Sequence, residues 1–277
     1  MQSKSFLGRL TGGVAHKAAA VLRNPYKKIN VNWVDEKFLK HATPGITRSH
    51  RLFGRRVYFC DPQEFLYGLK EIFIKEPYRL PLPQNAFILD CGANIGLSVI
   101  YLKELCPSAE LVAFEPDETN FQLLTKNVGA FGFKGVTLRK EAVWKERTAL
   151  RFSADSNMGS KITDKVTEHT KDVQAVRLKE FLNRQVDFLK MDIEGAEYEV
   201  LMDIADNLFR VRSLFIEYHG TFAQQRELLE MLTLLSDSGF TYYIKEAADL
   251  YDHPLDRVRN PARPYDVQLN IFCCRDV

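Results

Sequence analysis

From about Asn85 onward, short apolar runs bounded by turn residues alternate with longer stretches of helical period. The apolar runs fall at 86–91, 110–115, 136–138, 186–191 and 211–218. They are too short for core helices and too continuous for a half-solvated sheet, so they read as buried parallel strands. The stretches 97–105, 117–131, 198–208 and 223–238 lie between them and read as helices. Strand and helix in alternation specify βαβ units and a doubly wound α/β sheet. Two further strands, 241–245 and 268–274, are separated by a long loop holding Pro254, Pro261 and Pro264. They are expected to form a hairpin-like antiparallel edge.

Residues 1–84 differ in texture, with Pro25, Pro44, Pro62, Pro77, Pro81 and Pro83 as punctuation. A short strand is expected at 55–60 and a helical turn or two at 65–73. Phe6, Leu7, Leu10, Val14, Ala18, Val21 and Leu22 share one helical face, and Arg9, His16, Lys17 and Arg23 lie off it. That pattern suits a helix packed on its own domain, with a membrane-surface or dimerisation helix as the alternative. His16 and Lys17 interrupt the apolar run, which argues against a secretory signal. The expected organisation is an N-terminal α/β extension over 1–84, a cap or substrate-side element, followed by a catalytic domain over 85–277.

Composition narrows the class. The chain has 277 residues, 45% hydrophobic and 27% charged, which is ordinary for a globular protein that buries its own core. A net charge of +2 favours neither a nucleic-acid partner nor a strongly acidic substrate. No run approaches the ~20 apolar residues of a membrane span. The five cysteines are odd in number and include no C-x-x-C pair. Free thiols in a reducing cytosol are the expected reading, and no zinc-ligand spacing is present.

Five segments carry candidate chemistry. In Phe87-Ile-Leu-Asp90-Cys-Gly92-Ala93-Asn94-Ile-Gly96-Leu-Ser98, a strand ends on an acid and a glycine-rich turn opens a helix. Gly92 and Gly96 permit a tight turn and close ligand approach, and Asp90 is expected at the strand's carboxyl edge. The loop lacks the G-x-G-x-x-G of a nicotinamide enzyme. In Leu111-Val-Ala-Phe-Glu115-Pro116-Asp117, Glu115 stands where a ribose-binding acid belongs, and Asp117 suits a helix N-cap. In Lys140-Glu141-Ala142-Val143-Trp144, Glu141 and Ala142 lie where a doubly wound sheet meets an adenine ring, and Trp144 either stacks there or is structural. In Lys190-Met-Asp192-Ile-Glu194-Gly195-Ala-Glu197, three acids crowd a strand end. Like charges repel, so a purely structural purpose explains them poorly, although Glu197 alone suits a helix first turn. Ile216-Glu217-Tyr218-His219 ends the next strand and should lie beside Asp192.

Together these segments resemble the FkbM family of S-adenosylmethionine-dependent methyltransferases. The residues carrying the resemblance are Asp90-x-Gly92-Ala93-Asn94-x-Gly96, Phe114-Glu115-Pro116 and Lys190-Met-Asp192-Ile-Glu194-Gly195-Ala-Glu197. It covers residues 85–220 well and the C-terminal strands loosely. The family often has a Leu-Asp before the fourth strand. Here the stretch is Arg177-Leu178-Lys179-Glu180, so no role for that acid transfers. The resemblance implies a Rossmann-like seven-stranded methyltransferase sheet and S-adenosylmethionine as cofactor, with S-adenosylhomocysteine as product. The implied reaction is O-methylation of a sugar, glycan or natural product.

The expected cofactor-binding residues are Asp90, Gly92, Ala93, Asn94, Gly96, Ser98, Glu115, Pro116, Glu141, Ala142 and Asp192. The expected catalytic residues are His219, Asp192 and Glu194. A neutral His219 is taken as general base for the acceptor hydroxyl. A divalent metal held by Asp192 with Glu217 or His219 is the less favoured route, because few oxygen ligands are certain. N-methylation of a small molecule or peptide, an NAD-dependent oxidoreductase of similar fold, and a binding module without chemistry are the alternatives. Localisation is expected to be cytoplasmic.

Overall fold

The computed structural model describes residues 29, 31–153, 161–162, 170–257 and 263–275. The expected helical face over 6–22 and the loop Asn157-Met-Gly159-Ser160, a candidate border of the acceptor pocket, lie outside the described residues. The chain divides into two compact units, Met1–Arg79 and Leu80–Val277.

In the first unit, α1 (Trp33–His41) starts at Asn32, whose side chain accepts from the Val34 and Asp35 amides while Asp35 returns a bond to the Asn32 amide. This reciprocal cap satisfies donors that a helix start leaves open. Strands β1 (Arg48–Leu52) and β2 (Arg55–Phe59) form an antiparallel hairpin. Asp61 then caps α2 (Pro62–Gly68), which runs into a π-helical turn at Leu69–Ile74. Phe59 stacks on Phe65 with ring centroids 4.0 Å apart. The strand and helix expected here are β2 and α2; α1 and β1 were not singled out from sequence.

In the second unit, β3 (Phe87–Cys91), α3 (Leu97–Leu105), β4 (Glu110–Phe114), α4 (Glu118–Phe131) and β5 (Val136–Arg139) follow the expected alternation. The chain then leaves the main sheet. Strands β6 (Ala142–Trp144), β7 (Thr148–Ser153), β8 (Lys161–Ile162) and β9 (Thr170–Arg177) make a separate four-stranded sheet in the order β6-β9-β7-β8. This sheet replaces a crossover helix, and it was not anticipated.

The main sheet resumes with β10 (Val186–Met191), α5 (Glu197–Asp203) and β11 (Val211–Gly220), then α6 (Gln225–Asp237), β12 (Thr241–Glu246) and β13 (Val267–Cys274). The helical stretch expected at 198–208 is α5 followed by a 3-10 turn, Ala205–Arg210.

The sheet has seven strands in the order β12-β13-β11-β10-β3-β4-β5. Strands β11, β10, β3, β4 and β5 are parallel, and β13 runs antiparallel to β11 and β12. This is the Rossmann-like doubly wound sheet, and the antiparallel β12–β13 pair forms one edge with β12 outermost. Ile88, Leu89, Leu189, Met191, Leu214 and Ile216 are buried along the central strands. Coverage on both faces explains why these strands read as continuous apolar runs. Arg275 clasps the far end by donating to the carbonyls of Val211, Leu208 and Ser238.

The chain winds outward from β3 to β5 and returns at β10, directly beside β3. Such a switch of direction opens a crevice at the carboxyl ends of the strands. Among the described residues no helix is long and apolar enough to cross a membrane.

Candidate functional site

The crevice holds a cleft of about 690 Å³, open mouth included. Gly92, Asn94, Phe114, Glu115, Pro116, Asp117 and Asn120 line one part; Glu141, Ala142, Val143, Asp192, Ile193, Glu194 and Ala196 line the rest. They come from the ends of β3, β4 and β10 and the turns that follow, from the first turn of α4, and from β6 with the residue before it.

The β3 turn is shaped by its neighbours. The amides of Gly92 and Ala93 donate to the Phe114 carbonyl, at 3.1 and 2.9 Å. Gly92 has φ +89°, and a Cβ there would lie 1.8 Å from the Asp192 carbonyl oxygen. At Gly96, φ +91°, a Cβ would lie 2.7 Å from Leu124. The first glycine lets β3 and β10 close on one another, and the second lets α3 pack on α4.

Lys190 ties these ends together from beneath. Its side chain is almost fully buried, and its ammonium donates to the Gly92 carbonyl at 2.7 Å. It also lies 3.3 Å from Asp90 and 3.3 Å from Asp192. Asp90 is fully buried and accepts from the Ser98 hydroxyl at 2.6 Å. Asp90 and Ser98 were expected to face the ligand; their side chains are spent on each other and on Lys190, and neither lines the cleft. Ala93 and Gly96 also stand outside the lining. The significance of Lys190 was missed, although a lysine inside an apolar strand is a signal, since lysines are rarely buried unpaired.

Glu115 ends β4 with only 6% exposure. Its carboxylate accepts from the Asn94 amide at 2.8 Å and the Asp117 amide at 2.9 Å. Burial pushes its carboxyl up to about 7 against the pull of those two amides. Asn94 reaches this bond through a left-handed backbone, φ 47°. Beyond β5, Glu141 is gripped by the Arg139 guanidinium through two bonds of 2.5 and 2.9 Å. Phe114, Ala142 and Val143 supply apolar wall between these acids. Trp144 does not line the cleft and packs against the core.

The turn after β10 carries the acids. Glu197 is 1% exposed and accepts from the amides of Ile193 and Gly195. The same carboxylate meets His219 Nδ1 at 3.2 Å. Glu197 therefore both shapes the turn and aims the imidazole, a role beyond a first-turn acid. His219 ends β11, which pairs with β10 in parallel register. Its Nε2 lies 3.7 Å from Glu217 and 3.8 Å from Glu194. Tyr265 packs its ring on His219 at 4.9 Å and donates its hydroxyl to the Glu194 carbonyl at 2.6 Å. Tyr265 lies in the proline-rich loop before β13 and carries no local sequence signal.

Burial opposes charge on His219, but the bond to Glu197 and the charges of Glu197, Glu194 and Asp192 win, raising it to about 10. Glu197, Glu194 and Asp192 thus favour the protonated imidazole, which works against the neutral base expected from sequence. Burial first, and then Asp192, push the Glu217 carboxyl up. His219 itself does not line the cleft, whereas Asp192 and Glu194 do.

Residues 90–242 match the family described as Methyltransferase FkbM domain. Methyltransferase 1 of Beauveria bassiana is 30% identical over 198 residues, spanning 60% of this chain and 79% of that protein. Methyltransferase sdnD of Sordaria araneosa is 28% identical over 237 residues, spanning 72% of this chain and 89% of that protein. A solved structure of methyltransferase FkbM from Methylobacillus flagellatus KT aligns with TM-score 0.46 and 17% identity, over 75% of this chain and 54% of that one. These sequence relationships set aside the oxidoreductase alternative. With a match that spans more than half its length, the chain belongs to the FkbM methyltransferase family.

Proposed function

We propose that the cleft binds S-adenosylmethionine and that the enzyme passes its methyl group to a hydroxyl of a sugar, glycan or natural product. The observation that carries the reading is the buried Glu115 carboxylate at the switch-point crevice, facing the Gly92 turn. A carboxylate there accepts both hydroxyls of a ribose, and charge-assisted bonds of that kind are the strong ones. The other parts fit the same ligand. Phe114, Ala142 and Val143 offer apolar walls to a flat ring, and Glu141, braced by Arg139, offers an acceptor beside them. Asp192 and Glu194 put negative charge into the same lining, which favours a cationic ligand end.

When bound, the sulfonium supplies an electrophilic methyl group and a neutral thioether leaving group. The chain's own task is alignment, since holding two reactants in line is a large part of any such rate. Glu115, the Gly92 turn and the apolar walls hold the nucleoside. Asp192 and Glu194, both partly exposed, line the cleft where acceptor hydroxyls would approach. The hydroxyl as acceptor follows from the motif resemblance.

The test is a tritiated-methyl transfer assay against hydroxylated sugars, glycans and natural products, with amines included. Incorporation into a hydroxyl is the expected result; incorporation into amines alone would replace the acceptor. Calorimetric titration should give heat with S-adenosylhomocysteine and none with NAD, and the reverse would overturn the cofactor.

A further inference from the structure

We propose that Asp192, Glu194 and His219 form a binding site for a first-row divalent cation, Mn²⁺ or Zn²⁺, beside the cleft. The three residues offer ligand atoms that all lie within 4.8 Å of one another. Two adjacent parallel strands deliver them: Asp192 and Glu194 follow β10, and His219 ends β11. The backbone therefore sets their spacing before any ligand arrives.

The state of His219 is the second observation. Its side chain is 96–97% buried, from a residue exposure of 4% and a side-chain exposure of 3%. Glu197 holds Nδ1 at 3.2 Å, and Glu197 is itself locked by two turn amides. A buried carboxylate on one imidazole nitrogen fixes the ring and directs the other nitrogen outward, the support usually found behind a metal-bound histidine. Here Nε2 is the directed atom, and it makes no hydrogen bond among the described residues. Its nearest carboxylate oxygens stand at 3.7 and 3.8 Å, on Glu217 and Glu194. Those gaps are too long for hydrogen bonds. They fit the span across a cation, because ligands about 2.1 Å from a metal lie roughly 3.0 to 4.2 Å from each other.

The donor set selects the ion. One imidazole with two carboxylates suits Mn²⁺ or Zn²⁺ better than Ca²⁺, which takes oxygen alone. Asp192 has one oxygen 3.3 Å from Lys190 and a second available to a metal. Ligation needs Nε2 without a proton, as metal binding to imidazole requires. The site stands on this geometry alone. Only its task rests on the methyltransferase reading: a hydroxyl oxygen on the cation would lose its proton to solvent more readily.

The test reads metal binding directly. The full chain is stripped with EDTA, dialysed and titrated with MnCl₂, with free Mn²⁺ followed by its electron paramagnetic resonance signal and Zn²⁺ by calorimetry. We expect one cation per chain. Glu194→Gln and Asp192→Asn, which keep side-chain size at partly exposed positions, should abolish stoichiometric binding while leaving the thermal melt cooperative. Glu197→Gln should weaken binding by about 10–100-fold, as loss of a supporting carboxylate does. No stoichiometric uptake of either ion, or equal uptake by wild type and Glu194→Gln, would overturn the site in favour of a plain imidazolium–carboxylate cluster. A parallel titration with S-adenosylhomocysteine in EDTA separates the two readings. Adenosyl binding without cation binding overturns the metal site and leaves the cofactor reading standing; cation binding without adenosyl binding does the reverse.

Discussion

At the residue scale, two buried charges govern the site, and they behave oppositely. Lys190 neutralises Asp90 and Asp192 and holds the Gly92 carbonyl, so its removal strands Asp90 in the core. Breaking one partner of such a buried pair is costly, and Lys190→Met should lower stability by about 3–5 kcal/mol in urea unfolding. A wild-type midpoint would show that Asp90 finds other compensation. Glu115 instead lines the cleft. Glu115→Ala should weaken S-adenosylhomocysteine binding by about 1–3 kcal/mol with the fold intact, read by calorimetry and circular dichroism. Its carboxyl is raised from 4.5 to about 7, so in the free protein its stabilising contribution is present below pH 4.5 and fades as pH rises through about 7. Ribose hydroxyls favour the charged form. Ligand affinity should therefore rise with pH across the same window, and Glu115→Gln should flatten that profile.

At the element scale, the turns matter more than the strands they join. The β3 turn works because Gly92 lets the Asp192 carbonyl approach to where a side chain would sit. Gly92→Ala adds a methyl at 1.8 Å from that oxygen and imposes a positive φ on alanine. The substitution should cost more than about 1 kcal/mol and abolish adenosyl binding, because the turn must shift to relieve the clash. A melting temperature and affinity equal to wild type would show that the two strand ends separate without consequence. The β10 turn is built in the same spirit. Glu197 fills it from below, Tyr265 clamps the Glu194 carbonyl from above, and the acids between them are left facing outward.

At the scale of the whole molecule, one large buried cluster, from Phe87 to Cys273, lies within the second unit. Every residue lining the cleft also lies within Leu80–Val277. A fragment of residues 80–277 should therefore unfold cooperatively and bind S-adenosylhomocysteine as the full chain does. Loss of cooperative melting in the fragment would make the first 79 residues part of the folding unit. Retention of binding with loss of methyl transfer would assign those residues to the acceptor.

The sequence by itself determined the sheet and the place of the cleft at its strand ends. Five apolar runs with helices between them can be satisfied only by a covered parallel sheet, and the Gly92 turn and Glu115 sit at strand ends wherever that sheet forms. These are local requirements of backbone and burial, so they are legible along the chain. The β6–β9 sheet was not legible, because its longer strands mix polar with apolar residues and pair out of sequence order. The charge states were decided only by the tertiary structure. Asp90 looks like a ligand-facing acid until β10 brings Lys190 beneath it. His219 reads as an ordinary histidine until the β10–β11 pairing sets it among Glu197, Glu194 and Asp192, which favour its protonated form. A side chain's protonation depends on the field of neighbours contributed by other strands, and only the folded molecule assembles that field.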